Sequence, residues 1–125
     1  MDNSHKQLDV YIRAKELVRV TYKLINTFPV DERFALTSQV RRAIISVPSN
    51  IAEGLSRTPL KEQCHFLDIA FGSLMEADCQ LEIACDLKYI TQEEYNSIYK
   101  IITDVARMIR GLKNYRSNQI YRFFV

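Results

Sequence analysis

Apolar residues recur at alternating steps of three and four along most of this chain, a spacing that predicts helices rather than strands. In the first segment Tyr11, Ala14, Val18, Thr21, Ile25 and Phe28 mark a seam, predicting a helix over about residues 8–28 closed by Pro29 and Asp31. A second helix over about 33–56 turns Leu36, Val40, Ala43, Ile44, Val47, Ile51 and Leu55 inward. A third, over about 59–88, opens on Thr58 as N-cap with Pro59 in the first turn, and carries Leu67, Ala70, Leu74, Ala77, Leu81 and Ala84. The fourth, over about 92–115, opens on the capping box Thr91-Gln-Glu-Glu94 and carries Tyr95, Ile98, Ile102, Val105, Ile109 and Leu112. The connections are short, so neighbours should run antiparallel. The expected fold is all-α: a single domain, an up-down-up-down antiparallel four-helix bundle. Residues 116–125 read as a separate tail, whose apolar Ile120, Tyr121, Phe123, Phe124 and Val125 would dock on their own bundle or on another copy.

Pro48 interrupts the second pattern. An interior proline deletes one backbone hydrogen bond and crowds the carbonyl of Ile44, at a cost of about 3 kcal/mol, so a kinked or broken second helix is expected. At about 100° per residue, Arg42, Ser46, Ser49 and Glu53 share the face opposite Val40, Val47 and Ile51, with Asn50 at its margin. Serine and asparagine are weak helix formers, and a merely solvated face more often carries Lys and Glu. Two readings stay open: a contact surface that small side chains let another helix approach, or a solvated face that tolerates serine.

Composition adds little until it is resolved along the chain. Three Gly and three Pro among 125 residues agree with long helices and few turns. The formal net charge of +2 does not by itself point to nucleic acid. Residues 60–90, however, hold two basic and six acidic groups, while residues 91–125 hold six basic and three acidic ones. Opposed charge of this kind either steers copies together or neutralises itself inside one bundle. Cys64, Cys79 and Cys85 form no CxxC pair and read as small buried apolar residues in a reducing compartment. No apolar leader and no 18-residue apolar run is visible, so the expectation is a cytoplasmic protein with no membrane association.

Little in the chain points to catalysis. Glu62 and His65 make one ExxH pair, but a di-iron bundle needs two such pairs and two further glutamates. His5 lies in the N-terminal tail and stands alone, and Cys64 and His65 point about 100° apart, a poor nucleophile–base pair. No phosphate loop or nucleophile elbow occurs. The expectation is no enzyme, no metal, no cofactor and no small-molecule substrate. Cationic stripes are the remaining signal: Lys15, Arg19 and Lys23 at four-residue steps, and Arg107 and Arg110 with Lys113 nearby. Such rows suit phosphate backbones, with Tyr22 and Tyr121 available for stacking, or they are ordinary solvated charge.

The stretch RRAIISVPSNIAEGLSR, followed by FLDIAFGSLMEADCQLEIACDLKYI, resembles the 23S ribosomal RNA intervening-sequence proteins over about residues 6–115. The residues that carry the likeness are Ser46, Pro48, Asn50, Ile51, Ala52, Glu53 and Gly54 in the first block, and Gly72, Ser73, Leu74 and Glu76 in the second. Lys88 stands where that family commonly has glycine, which puts the end of the third helix in question. The resemblance implies a four-helix bundle assembled as a ring of identical subunits, commonly five, in a family some of whose members are encoded within ribosomal RNA genes. It implies no settled biochemical role; a related bundle accompanies RNA in diversity-generating retroelements. The leading expectation is a homo-oligomeric scaffold or adaptor, with RNA as a candidate partner. In it Arg42, Ser46, Pro48, Ser49, Asn50, Glu53, Gly54 and Glu76 are candidate subunit-contact or motif residues. The alternative is a protein-interaction module without nucleic acid.

Overall fold

The computed structural model describes residues 8–124, with side chains through residue 120. His5 and the side chains of Tyr121, Phe123, Phe124 and Val125 lie outside the described residues. Four helices form: α1 (Asp9–Ile25), α2 (Leu36–Leu55), α3 (Leu60–Asp86) and α4 (Gln92–Phe124), with a short 3₁₀ turn at Val30–Glu32. There is no strand among the described residues. Each helix packs on its chain neighbours and α4 closes back on α1, so α1 and α3 stand diagonally and run in the same direction.

The core is the set of facing seams. Leu17, Ile25, Ile44, Ile51, Leu67, Leu74, Leu81, Ile98, Ile102 and Ile109 are fully buried. Burial of side chains this size contributes about 1.5–3 kcal/mol each against exposure, which dominates any single polar contact in the bundle. The seams of α2, α3 and α4 follow the sequence pattern. The α1 seam is rotated: Val10, Leu17 and Leu24 fill the core with Ala14 and Thr21, while Tyr11 and Val18 are half-buried toward α2. The apolar arc of α1 is wide, and only packing decides which edge of it faces inward.

The helix ends show where local chemistry is decisive. At α4, Glu94 N donates to Thr91 Oγ1 at 3.0 Å and Thr91 N donates to Glu94 Oε1 at 2.9 Å, a complete capping box. At α3 the N-cap is Pro59 itself, one residue later than expected, without a side-chain cap. α2 begins at Leu36 rather than near 33, because Val30–Glu32 forms its own turn and Glu32 Oε2 accepts from Leu36 N. α3 ends on Lys88, whose φ of 66° is left-handed. Tyr89 N donates to Ala84 O and Lys88 N to Cys85 O, the paired bonds of a Schellman cap usually built on glycine.

One expectation is narrowed and one needs correction. Of the kink or break expected at Pro48 the break does not occur, since α2 runs as one helix from Leu36 to Leu55 with the proline ring buried. The missing bond is tolerated because the helix is held on both sides by α1 and α3. There is also no separate tail from 116, since α4 continues to Phe124. Half-buried Leu112, Arg116 and Ile120 keep helical spacing past residue 115, and the sequence there holds no proline to stop it.

Candidate functional site

The polar face of α2 divides in two. Ser46 and Asn50 turn toward α3: Asn50 Nδ2 donates to Ser46 O and Ser46 Oγ, both at 2.8 Å, and Ser46 Oγ sits 2.9 Å from Ser73 Oγ. Short side chains there let α2 and α3 approach closely. The approach is tightest at Gly54, where an added Cβ would lie 2.7 Å from Phe66 Cβ and 3.2 Å from Gln63 O. Arg57 closes this end, pairing with Glu53 and lying over the Phe66 ring, while Gln63 Nε2 donates to Arg57 O. Glu76 accepts from Gln80 along α3. So the two sequence blocks meet across one helix pair inside the chain.

Arg42, Ser49 and Glu53 are exposed instead. Ser49 and Glu53 border a groove of about 770 Å³ between α1 and α2, which Tyr11, Val18, Ile45 and Pro48 line and Lys15 and Arg19 edge. Lys15 lies over the Tyr11 ring and Arg41 over the Tyr22 ring, both contacts of the kind that place a cation on an aromatic face.

The structure separates the two sets of candidate cations. Lys15, Arg19 and Lys23 are exposed on α1, and none is ion-paired to a described residue. On α4, Arg107 pairs with Asp104 at 2.6 Å, Lys113 pairs with Asp68 at 2.7 Å, and Arg110 stacks 4.5 Å from the Phe71 ring centre. Each of those three thus has a partner within its own bundle. Arg41 lies beside the α1 stripe, over the Tyr22 ring, and it and its chain neighbour Arg42 are exposed and likewise without a described carboxylate partner. Sequence spacing did not group Arg41 with that stripe, since only the α1–α2 packing brings them together.

Carboxylates gather elsewhere. Asp78, Glu82 and Asp86 edge a groove of about 420 Å³ between α3 and the start of α4. Tyr95 Oη donates to Asp78 Oδ1 at 2.6 Å. Burial and that hydrogen bond push the phenol well above its usual pKa. Between α1 and α4, Arg13 bridges Glu16 and Asp104, and the bonds to these carboxylates hold its guanidinium pKa above the ordinary value.

Glu62 and His65 are both exposed, with the imidazole edge-on to Phe66. Among the described residues no three His, Cys, Asp or Glu side chains gather as a metal site. The cysteines are free, and only Cys64 is buried, its thiol beside Ser117 and Lys113 O; Cys79 is exposed and Cys85 half-buried. The expectation of three buried cysteines therefore fails for two, because positions 79 and 85 fall off the α3 seam. No described helix is long and apolar enough to cross a membrane.

Two kinds of comparison with known proteins give matches. The family model described as "23S rRNA-intervening sequence protein" matches residues 6–111. A crystal structure of a protein of unknown function from the S23 ribosomal protein family of Bacteroides thetaiotaomicron is similar at a TM-score of 0.76 and 24% identity. The likeness covers 83% of this chain and 97% of that one, and at this identity it speaks for the fold. No curated protein matches the chain.

Proposed function

Because the chain belongs to the 23S rRNA-intervening sequence protein family, we propose that it is a non-enzymatic scaffold built from several copies of one bundle. The copies form a ring, and five is the number that the sequence resemblance implies. The observation that supports this reading is the separation of unpaired charge. Lys15, Arg19 and Lys23 stand on α1, while Glu82 and Asp86 stand on α3, and neither set has an ionic partner among the described residues. A head-to-tail contact needs two different and complementary patches on each subunit. Sedimentation or native mass at micromolar concentration tests it. A discrete multiple of 14.6 kDa is expected, and a monomer overturns the reading.

RNA binding is the second reading, favoured by the exposed pair Arg41 and Arg42 on α2 and by the cation–ring contact that sets Arg41 against Tyr22 of α1. Cations with aromatic faces suit a phosphate backbone with stacked bases, and a ring repeats the patch in every subunit. The test is binding of labelled single-stranded and structured RNA across a salt series. A steep fall with salt, reduced in Arg41→Glu/Arg42→Glu, is expected. Absence of binding at low salt leaves a protein-only scaffold.

A further inference from the structure

The exposed ridge of α1 and the groove between α3 and α4 carry the same pattern in the same order. On α1, at about 100° per residue, Ile12, Lys15, Arg19 and Lys23 fall on one outward strip, with the N-cap residue Leu8 just before it. Leu8 and Ile12 are 37% and 51% exposed, large values for aliphatic side chains beside a packed core. Along α3 the sequence Phe71, Met75, Asp78, Glu82, Asp86 repeats those intervals of four, three, four and four. These α3 residues edge one continuous trough. Its lower part holds Phe71 and Met75, its upper part Glu82 and Asp86, and Asp78 and Tyr99 border both. Two apolar positions thus precede three cations on the ridge, and two apolar positions precede three carboxylates in the trough.

The heights are comparable as well. Tyr95 meets Asp78 and Lys113 meets Asp68, so Asp104, midway along α4, stands opposite about Ser73. Arg13 bonds Asp104, which sets Arg13 level with that point of α3. Lys15, Arg19 and Lys23 then lie about three residues below Asp78, Glu82 and Asp86 by these contacts, and about seven by those through α2, Tyr22 with Arg41 and Ser46 with Ser73, an offset of about 4.5–10 Å along the bundle axis. Because α1 and α3 run the same way, a neighbour in the same orientation needs an axial slide of that size to bring all five pairs together. A neighbour turned end for end would set lysine against Phe71 and Met75. The trough also holds Arg107, paired with Asp104, and Arg110, which lies over the Phe71 ring and must swing aside for Leu8 to reach it.

We propose that the α1 ridge of one copy lies in the α3/α4 trough of the next, both copies pointing the same way. The occupant is a second copy of this chain, recognised by apolar contact at one end and three ion pairs at the other. This rests on the self-assembling reading above and specifies its contact. The contact is head-to-tail, so it closes into a ring or continues as a filament according to the angle between the two faces. It uses the α1 stripe and leaves Arg41 and Arg42 on α2 outside it.

The test is charge reversal read by native mass and sedimentation, with far-UV circular dichroism to confirm that each variant is helical. Arg19→Glu/Lys23→Glu should weaken assembly about a hundredfold or more, since like charges then face each other. Glu82→Lys/Asp86→Lys should do the same; Asp78 is kept because it holds Tyr95. All four reversals in one chain should restore assembly, and mixing the two single-face variants should restore the contact between unlike copies, in assemblies of even number. A wild-type oligomer whose size survives both single-face reversals overturns this contact and leaves the assembly reading standing. A monomeric wild type overturns both. Loss of assembly without rescue in the four-fold variant also overturns the pairing.

Discussion

Ser46 Oγ lies 2.9 Å from Ser73 Oγ, a hydroxyl pair that joins α2 to α3 across 27 residues of chain. Asn50 locks it by donating to both the hydroxyl and the carbonyl of Ser46. The small polar residues that looked like an outward contact face are thus partly an internal seam. Ser73→Ala should cost about 1 kcal/mol, the usual net worth of such a bond. Ser46→Ala should cost more, because Asn50 also loses a partner. A double-mutant cycle followed by urea denaturation should show coupling between the two sites of about 0.5 kcal/mol or more.

Gly54 and Gly72 should respond oppositely to alanine. A Cβ at Gly54 meets Phe66 Cβ at 2.7 Å, and overpacking of this kind costs about 1–3 kcal/mol, more than the roughly 1 kcal/mol gained in helix propensity. A Cβ at Gly72 has nothing within 4 Å. Gly54→Ala should therefore lower the urea midpoint and Gly72→Ala should raise it.

Lys88 occupies a left-handed cap position at φ 66°. A side chain pays about 1 kcal/mol there that glycine does not. Lys88→Gly should raise stability by roughly that amount, read as an increased melting temperature. An unchanged or lower melting temperature would show that the lysine side chain repays its strain.

The Tyr95–Asp78 hydrogen bond predicts a pH dependence. Folding raises the phenol pKa above the ordinary 10.0, so the folded state favours the neutral ring. That stabilisation is fully present below the unfolded pKa and is lost as pH rises beyond it. Wild-type stability should fall more steeply above pH 10 than that of Tyr95→Phe. At neutral pH the substitution should cost about 1 kcal/mol. Ultraviolet titration should show one tyrosine ionising only with alkaline unfolding.

Four helices and their order were legible because the signals are local. The three-and-four periodicity of Val40 to Ile51 or Ile98 to Ile109 is a property of neighbouring turns, and Thr91 and Glu94 cap α4 from three residues apart. The cationic row on α1 was legible for the same reason. That Lys113 is tied to Asp68 was not, because those residues stand 45 positions apart and only packing brings them together, whereas the Arg107–Asp104 pair is local to one helix. The rotation of the α1 seam, the meeting of Ser46 with Ser73, and the height of Lys15 against Asp78 likewise depend on interhelical register. Sequence periodicity determines which arc of a helix is apolar. Only the packed bundle decides which residue of its neighbour stands opposite, since that is set by axial position and by the fit of side chains between helices.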